Sequence, residues 1–408
     1  MQTPSLKLNL GRRGGVDVVG LDIQPGHVAA VQARVNGSIV VKHAAGAPLP
    51  ADTVREGEVL DEGVLSETLR EVFKDGGLSR RVRLGVANQR TVLRTLELPP
   101  ITDRKELDAA VRFQAQDQVP MPLSNAVLDF HPLGIFDTPE GPRQRVVLVA
   151  AQRDMVQRLL AAVRDAGLRP EGVDLSAFAL IRSLYRPDPE HAGRVLYLNV
   201  DGLTNMAIAE GTICRFTRVV GGGIEAMASE LAERRSIPLV EARTLIASID
   251  LSAPPASVPE PPVTVADPDP EIEPVAVVDP EAPTVVDEDS PSTATSDPAY
   301  SSAAPSAATP STSDADVRTV LENGIREIAG EVRNSLEFHR SQEGGGEVSL
   351  VVLSGSALDL PGFADALQEQ LGVQVERESV HLDEQDLGGV SAHRLAIAAG
   401  LAVEEVPQ

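Results

Sequence analysis

The chain has few aromatic residues, a single cysteine and no tryptophan. Aromatic side chains make up 3% of its 408 residues. One cysteine, Cys214, excludes an intramolecular disulfide framework and a cysteine-rich zinc site, and is typical of a small buried hydrophobe in a reducing compartment. No apolar run approaches the ~18–20 residues that span a membrane, and residues 1–13 lack the apolar core of a secretory signal. These absences favour a soluble, cytoplasmic protein.

Positive charge is also scarce. The chain carries 36 Lys and Arg against 60 Asp and Glu, a formal net charge of −24. Without a basic stripe to neutralise phosphates, we expect no nucleic-acid partner. The seven histidines are scattered, with no i, i+4 pair, which argues against a transition-metal site.

One segment concentrates the negative charge. Residues 252–316 contain 13 acidic residues, no Lys or Arg and 14 of the 31 prolines. Such a composition cannot bury enough apolar surface to offset the entropy lost on ordering. The sequence therefore predicts a disordered, Pro/Asp/Glu-rich linker inserted in a folded protein.

Two stretches, 18–31 and 196–208, share one layout. Each is an apolar run, a short turn with Asp or Asn and a Gly, and a second apolar run. This pattern predicts two antiparallel hairpins, whose turn amides form a concavity that can hold phosphate. Two copies indicate a duplicated α/β domain with one hairpin from each half facing a cleft; two unrelated buried hairpins are the alternative.

Strands and helices alternate along the rest of the chain, which is typical of an α/β fold. Asp103 and Glu106 predict a capping box at a helix start, and Asp154 is predicted to cap the next helix. A helical stripe runs from Val317 to Leu336. The predicted strands are 82–86, 92–98, 127–130, 145–150, 213–220 and 348–353.

The order of four motifs along the chain resembles that of the actin-like ATPase superfamily. These motifs are the two hairpins, the Gly triplet 221–223 and the strand–Ser-Gly turn 353–357. There they correspond to two phosphate loops, a connecting segment and an adenosine motif. Within it, segments 113–123, 147–154 and 216–218 are most similar to the PilM family of type IV pilus assembly. The resemblance implies a duplicated actin-like (ribonuclease H-like) two-lobe fold with a small inserted α/β subdomain and the acidic insertion.

The same resemblance implies a domain layout. Residues 1–15 form a flexible N-terminus and 404–408 a tail. The first lobe comprises 16–92 and 171–194, the inserted subdomain 93–170, and the second lobe 195–251 and 317–403, with the disordered linker at 252–316.

The resemblance further implies a site for ATP with Mg²⁺, in which Asp22 orients the metal, and no catalytic residue is assigned. The residues expected to bind the cofactor are Asp22, Gln24, Gly26, His27, Asn199, Asp201, Gly202, Thr204, Gly222, Gly223, Gly355 and Ser356. His27 either faces a phosphate or is a surface turn residue.

Several positions depart from the superfamily pattern. Gln24 and Asp201 stand where Gly is usual, Asn199 replaces an Asp, and Arg243 and Ile246 replace the adenosine-contacting Glu and Lys. We therefore expect weak ATP binding and no efficient hydrolysis, with a retained fold around an eroded pocket as the alternative.

The resemblance implies a non-enzymatic scaffold or adaptor. Its partner would be the N-terminal cytoplasmic peptide of a PilN-like inner-membrane protein, which recruits it to the inner face of the cytoplasmic membrane. Pilus platform and motor components and a homo-oligomer or ring are further expected partners. The alternatives are an FtsA-like cell-division protein, disfavoured by the acidic, Pro-containing end, and a sugar or acetate kinase, disfavoured by Asn199.

Overall fold

A computed structural model of the chain describes residues 18–36, 38–74, 77–187, 193–253, 311–342, 344–382 and 389–404. The predicted flexible N-terminus and nearly all of the predicted linker and tail lie outside these residues. Residues 18–253 and 316–404, as far as they are described, belong to one compact unit. Residues 311–315 belong to a second unit, 255–315, and are helical. No helix in the described ranges is long and apolar enough to cross a membrane.

The strands, in chain order, are β1 Val19–Gln24, β2 His27–Asn36, β3 Ser38–Pro48, β4 Val54–Arg55, β5 Glu58–Val59, β6 Arg81–Val86, β7 Val92–Leu98, β8 Ala126–Thr138, β9 Gly141–Gln152, β10 Arg169–Leu175, β11 Arg194–Val200, β12 Thr204–Glu210, β13 Ile213–Val220, β14 Val348–Ser354, β15 Val375–Arg377 and β16 His381–Leu382.

The helices, also in chain order, are α1 Glu62–Val72, α2 Arg104–Gln118, α3 Arg153–Asp165, α4 Ser176–Leu184, α5 Ile224–Arg235, α6 Leu239–Ala247, α7 Ser311–Ser341, α8 Phe363–Leu371 and α9 Ala396–Ala402. Short 3₁₀ turns lie at Leu123–Asn125, Ser356–Asp359 and Ala392–Leu395.

Two sheets repeat one topology. The first has the order β10-β6-β1-β2-β3-β16 and the second the order β13-β12-β11-β14-β15. In both, an antiparallel three-stranded meander (β1–β3, β11–β13) is extended by parallel strands next to its first strand. The first strand of each predicted hairpin is therefore a central strand of its sheet. The predicted duplication of the α/β unit is confirmed.

The inserted subdomain is a three-stranded sheet, β7-β9-β8, with α2 on one face. Leu107, Val111 and Ala115 lie at helical spacing on α2 and pack onto the sheet as one apolar stripe. α3 and β10 belong elsewhere: α3 packs on the first sheet beside α1, and β10 pairs with β6. The subdomain core is thus narrower than 93–170.

The end of the chain returns to the first lobe. β16 pairs with β3, and α9 packs against α4, β1 and β2. Arg83, 8% exposed, donates to the carbonyl oxygens of Leu401 and Val403 at 3.0 and 2.9 Å and pairs with Glu404. These bonds satisfy carbonyls at the end of α9 that have no partner inside the helix. The expected second lobe, which extends to residue 403, is therefore too long at this end.

The second lobe is built on α7 and α8. Val317, Val320, Leu321, Ile325 and Ile328 of α7 are buried in one cluster with apolar residues of β11, β12, β14 and α8. The predicted stripe therefore covers one face of the second sheet, which joins the parts of the chain before 253 and after 316 into one core.

All six predicted strands are present, but β8 and β9 are much longer than the predicted 127–130 and 145–150. Of the two predicted helix caps, one is confirmed. Asp103 is the N-cap of α2, its Oδ1 accepting the Lys105 and Glu106 N–H groups at 2.9 Å. Asp154 does not cap α3: the helix begins at Arg153 with Gln152 at the cap, because β9 runs on to Gln152. Cys214 is buried, and burial raises the pKa of its thiol to about 12, as suits a small hydrophobe.

Candidate functional site

The turns of the two predicted hairpins meet in the cleft between the lobes. Gly26, with φ +85°, completes the β1–β2 turn. Across the cleft, a Cβ on Gly202 would lie 2.1 Å from the Pro25 carbonyl oxygen. Only glycine at 202 permits this approach, so the two tips touch each other directly.

Gln24 connects the two hairpins through both ends of its amide. Its Nε2 donates to Asp22 Oδ2 at 2.8 Å, and its Oε1 accepts the Leu203 backbone N–H at 3.2 Å. The side chain is 1% exposed. Where the superfamily pattern has a glycine, this chain places a hydrogen-bonded side chain.

Asp22 is buried beneath this bridge. It is 2% exposed, and burial raises its pKa from 3.8 to about 7, with a smaller contribution from nearby Asp201, while the hydrogen bond from Gln24 opposes the shift. Without a bound cation, the carboxyl group is therefore partly protonated near neutral pH. In the described ranges, no group of three or more His, Cys, Asp or Glu is placed to hold a metal.

Asp201 is the centre of a second set of contacts. Its Oδ1 accepts the Ser356 hydroxyl at 2.7 Å and lies 3.8 Å from Arg394, and its Oδ2 lies 3.5 Å from His27 Nε2. His27 is 5% exposed, and burial lowers its pKa. One of the two expectations for His27, a surface turn residue, is therefore wrong. The side chain packs against the opposite lobe.

Arg243 closes a further wall of the cleft. It forms an ion pair with Glu225 and donates to the Leu49 carbonyl oxygen of the first lobe at 3.4 Å. A Cβ on Gly26 would lie 2.6 Å from the Glu225 carboxylate. Arg243, which stands at an adenosine-contacting position by resemblance, is thus engaged with protein groups on both sides.

The remaining expected site residues serve the second hairpin. Asn199 donates to the Ser354 hydroxyl at 3.1 Å, and the Thr204 hydroxyl donates to the Gly222 carbonyl oxygen at 2.6 Å. A Cβ on Gly223 would lie 2.3 Å from the Asp201 carbonyl oxygen, and Gly355 has φ +96°. These contacts are internal to the second lobe, so they fix its loops.

A cavity of about 370 Å³ lies beside the hairpin tips. Five of the twelve expected residues line it: Gly26, His27, Asp201, Gly202 and Ser356. The expected residues that do not line it are Asp22, Gln24, Asn199, Thr204, Gly222, Gly223 and Gly355. Sequence reasoning missed Glu225, Asp359 and Arg394, which line it from distant parts of the chain and carry no motif.

These residues do not fit Mg²⁺·ATP in this arrangement. The tips where a phosphate chain would pass are joined by Gln24 and packed through Gly202. The buried Asp201 would repel phosphate, and Arg243 and Arg394 already face carboxylates.

A different candidate site lies where the inserted subdomain meets the first lobe. β7 and β8 are the two edges of the subdomain sheet, and among the described strands neither has a partner on its outer side. The face away from α2 carries Leu93, Val147 and Val149, which pack near Phe178 of α4. Leu93, Leu133 and Phe178 remain partly exposed there.

Residues 20–206 match the family model described as type IV pilus assembly protein PilM. Over these residues the chain is similar to the PilM family. A chain of the solved PilM–PilN type IV pilus biogenesis complex is similar over 95% of this chain and 98% of that one, with a TM-score of 0.67 and 21% identity. The actin-like fold expected from the sequence is thereby confirmed.

Two other solved structures are more distant. The ethanolamine utilization protein EutJ from Carboxydothermus hydrogenoformans has a TM-score of 0.47 and 14% identity, over 95% of this chain and 90% of that one. MreB5 of Spiroplasma citri, bound to AMPPNP, has a TM-score of 0.46 and 10% identity, over 94% of each chain. Neither similarity is high enough to support a conclusion about this chain.

Proposed function

We propose that the chain is a cytoplasmic scaffold or adaptor of type IV pilus assembly that binds the N-terminal cytoplasmic peptide of a PilN-like inner-membrane protein. The observation that carries the proposal is the PilM-family match, which includes the inserted subdomain and its two outer strands, whose edges pair with no other described strand. The similar solved chain comes from a complex that contains PilN. Recruitment to the membrane through this partner follows from the same proposal.

The outer edge of β7, which pairs with no described strand, supports this mode of binding. An extended peptide that adds to an edge gains main-chain hydrogen bonds, while alternate side chains enter pockets on each face. Leu93, Leu133 and Phe178 offer an apolar floor beside that edge. Burying two or three Leu or Ile side chains there would contribute about 1.5–3 kcal/mol each.

The central cleft has no catalytic role in this proposal. Gln24, His27, Asp201 and Arg243 join the lobes by protein contacts where a nucleotide would lie. ATP, if it binds, binds weakly and is not turned over efficiently. This also disfavours the kinase alternative, and the family match disfavours an FtsA-like protein.

Fluorescence anisotropy tests the peptide partner. The full chain is titrated against the labelled N-terminal cytoplasmic peptide of the PilN-like protein from the same genome, and we expect saturable binding. Leu93→Asp, which places a charge on the apolar floor, should weaken it at least tenfold. Phe113→Asp is the matched control, because Phe113 is 72% exposed on α2, which covers the opposite face of the sheet.

Absence of saturable binding to the wild-type chain would refute the proposed partner. Equal losses in the two variants would place the peptide elsewhere, provided that both melt cooperatively near the wild-type temperature. The proposed assembly into a homo-oligomer or ring, and contacts with platform and motor components, are tested separately by sedimentation with and without the peptide.

A further inference from the structure

Asn205 on β12 is a buried residue whose side-chain polar atoms have no hydrogen-bond partner among the described residues. It is 1% exposed, and neither its Oδ1 nor its Nδ2 has a hydrogen-bond partner among the described residues. A buried polar group without a partner costs about 1–3 kcal/mol. A carboxamide offers two donors and one acceptor, so Asn205 presents both halves of an amide-recognition pair.

The side chain lines a small cavity of about 80 Å³. Thr91, whose buried Oγ1 also lacks a partner among the described residues, lines the same cavity. Asn88, on the same wall, is occupied: its Nδ2 donates to the Glu56 carbonyl oxygen, and its Oδ1 accepts the Arg90 N–H, both at 2.7 Å. Two side chains in one cavity thus have polar atoms without a partner among the described residues, while both polar atoms of their neighbour Asn88 are hydrogen-bonded.

The cavity has the size and chemistry for an amide group. About 80 Å³ is too small for a nucleotide and sufficient for one carboxamide or one peptide unit. Leu175 and Ala177 supply apolar wall, and Thr217 of β13 adds a hydroxyl. A donor–acceptor pair in such a setting matches a group that itself has one donor and one acceptor.

The cavity lies next to the start of β7, whose outer edge is the proposed peptide edge. Thr91 directly precedes Val92, where β7 and its unpaired edge begin. An extended chain paired along that edge would therefore reach the cavity at the Val92 end.

We propose that the cavity between Asn205 and Thr91 receives one amide group of the extended peptide that pairs with β7. This inference rests on the proposed function, because it names a contact of the same peptide partner. Its walls come from both lobes: residues 86–89, 91, 175 and 177 from the first, and Asn205 and 217–219 from the second. Peptide binding therefore joins the inserted subdomain to both lobes.

The test uses the full chain and the same labelled PilN-like peptide. Asn205→Leu keeps the side-chain size and removes both polar atoms, and we expect about tenfold weaker binding. Thr91→Val should weaken binding by a smaller factor. Gln32→Leu is the matched control: Gln32 is also buried with an unpartnered Oε1, but it does not line this cavity.

Thermal melting separates a binding role from a structural one. Because Asn205 has no hydrogen-bond partner among the described residues, Asn205→Leu should melt at or above the wild-type temperature while binding the peptide more weakly. A variant that melts well below the wild type would contradict this and assign Asn205 a structural role.

Changes in the peptide identify which amide enters. If a peptide Asn or Gln side chain enters the cavity, replacing it with Ala should weaken binding to the wild-type chain. The same replacement should not weaken binding to the Asn205→Leu variant any further. If a main-chain amide does so, an ester or N-methyl substitution shows that coupling instead. If Asn205→Leu binds the peptide with wild-type affinity, the inference is wrong and the cavity holds only water. The proposed partner would still stand in that case. A peptide that fails to bind the wild-type chain defeats the partner itself.

Discussion

Gln24 of the first hairpin accepts a hydrogen bond from the backbone N–H of Leu203 in the second, at 3.2 Å. The bond crosses the cleft between the lobes in a buried setting, where a hydrogen bond is electrostatically stronger than in water. The same amide donates to Asp22. One side chain thus occupies the position at which the two loops would otherwise approach a common ligand.

Opening this position should restore nucleotide affinity. Gln24→Gly removes the bridging side chain, and Asn199→Asp returns a carboxylate to the second loop. We expect the double variant to bind Mg²⁺·ATP more tightly than the wild type in calorimetry, with each single variant in between. Asp22→Ala should abolish any binding. Tight wild-type binding with steady phosphate release would contradict the degenerate site.

Asp22 should make stability depend on pH. Its pKa is about 7 in the folded chain against 3.8 for an ordinary aspartate carboxyl. Between these values only the folded state holds the proton, so the free energy of unfolding should fall as pH rises from about 4 to 7. The whole shift corresponds to roughly 4 kcal/mol.

The Asp22→Asn variant tests this dependence by chemical denaturation at pH 5 and pH 8. It should lose less stability than the wild type between the two values. The exposed Asp117→Asn serves as control and should follow the wild type. If Asp22→Asn and the wild type decline in parallel, Asp22 is not the group that titrates.

Arg83 should anchor the end of the chain. Arg83→Met removes two hydrogen bonds to carbonyls near the end of α9 and the pair with Glu404, and we expect a loss of about 3 kcal/mol in the free energy of unfolding. Arg81→Met, in the same strand, breaks only a more exposed pair with Glu171 and should change little. Equal effects in urea denaturation would show that the anchor contributes nothing specific.

The predicted acidic linker should be dispensable for folding. Proteolysis should cut first within residues 252–316 and leave two fragments that stay associated, because Leu251 and Val317 are buried in one apolar cluster. Replacing residues 254–310 with a short Gly/Ser linker should leave the melting temperature nearly unchanged. A fall of many degrees would mean that the segment packs as structure.

Local patterns in the sequence determined the elements and the duplicated fold. The apolar runs around Asp22 and Asn199 predicted both hairpins, because a period of two and a glycine-containing turn leave few other conformations. Asp103 and the stripe on α7 predicted helices for equally local reasons. The prediction at Asp154 is wrong because a carboxylate inside the first turn of a helix has the same local pattern as a cap.

Tertiary structure alone decided the contacts and the burial of the site residues. The sequence shows Gln24 as a departure from a glycine, but its bond to Leu203 depends on two hairpins far apart in the chain. The burial of His27, the raised pKa of Asp22, the return of α9 to the first lobe and the unpartnered side chain of Asn205 have the same origin. Each depends on the distance and solvent exposure of groups remote in sequence, which no local pattern encodes.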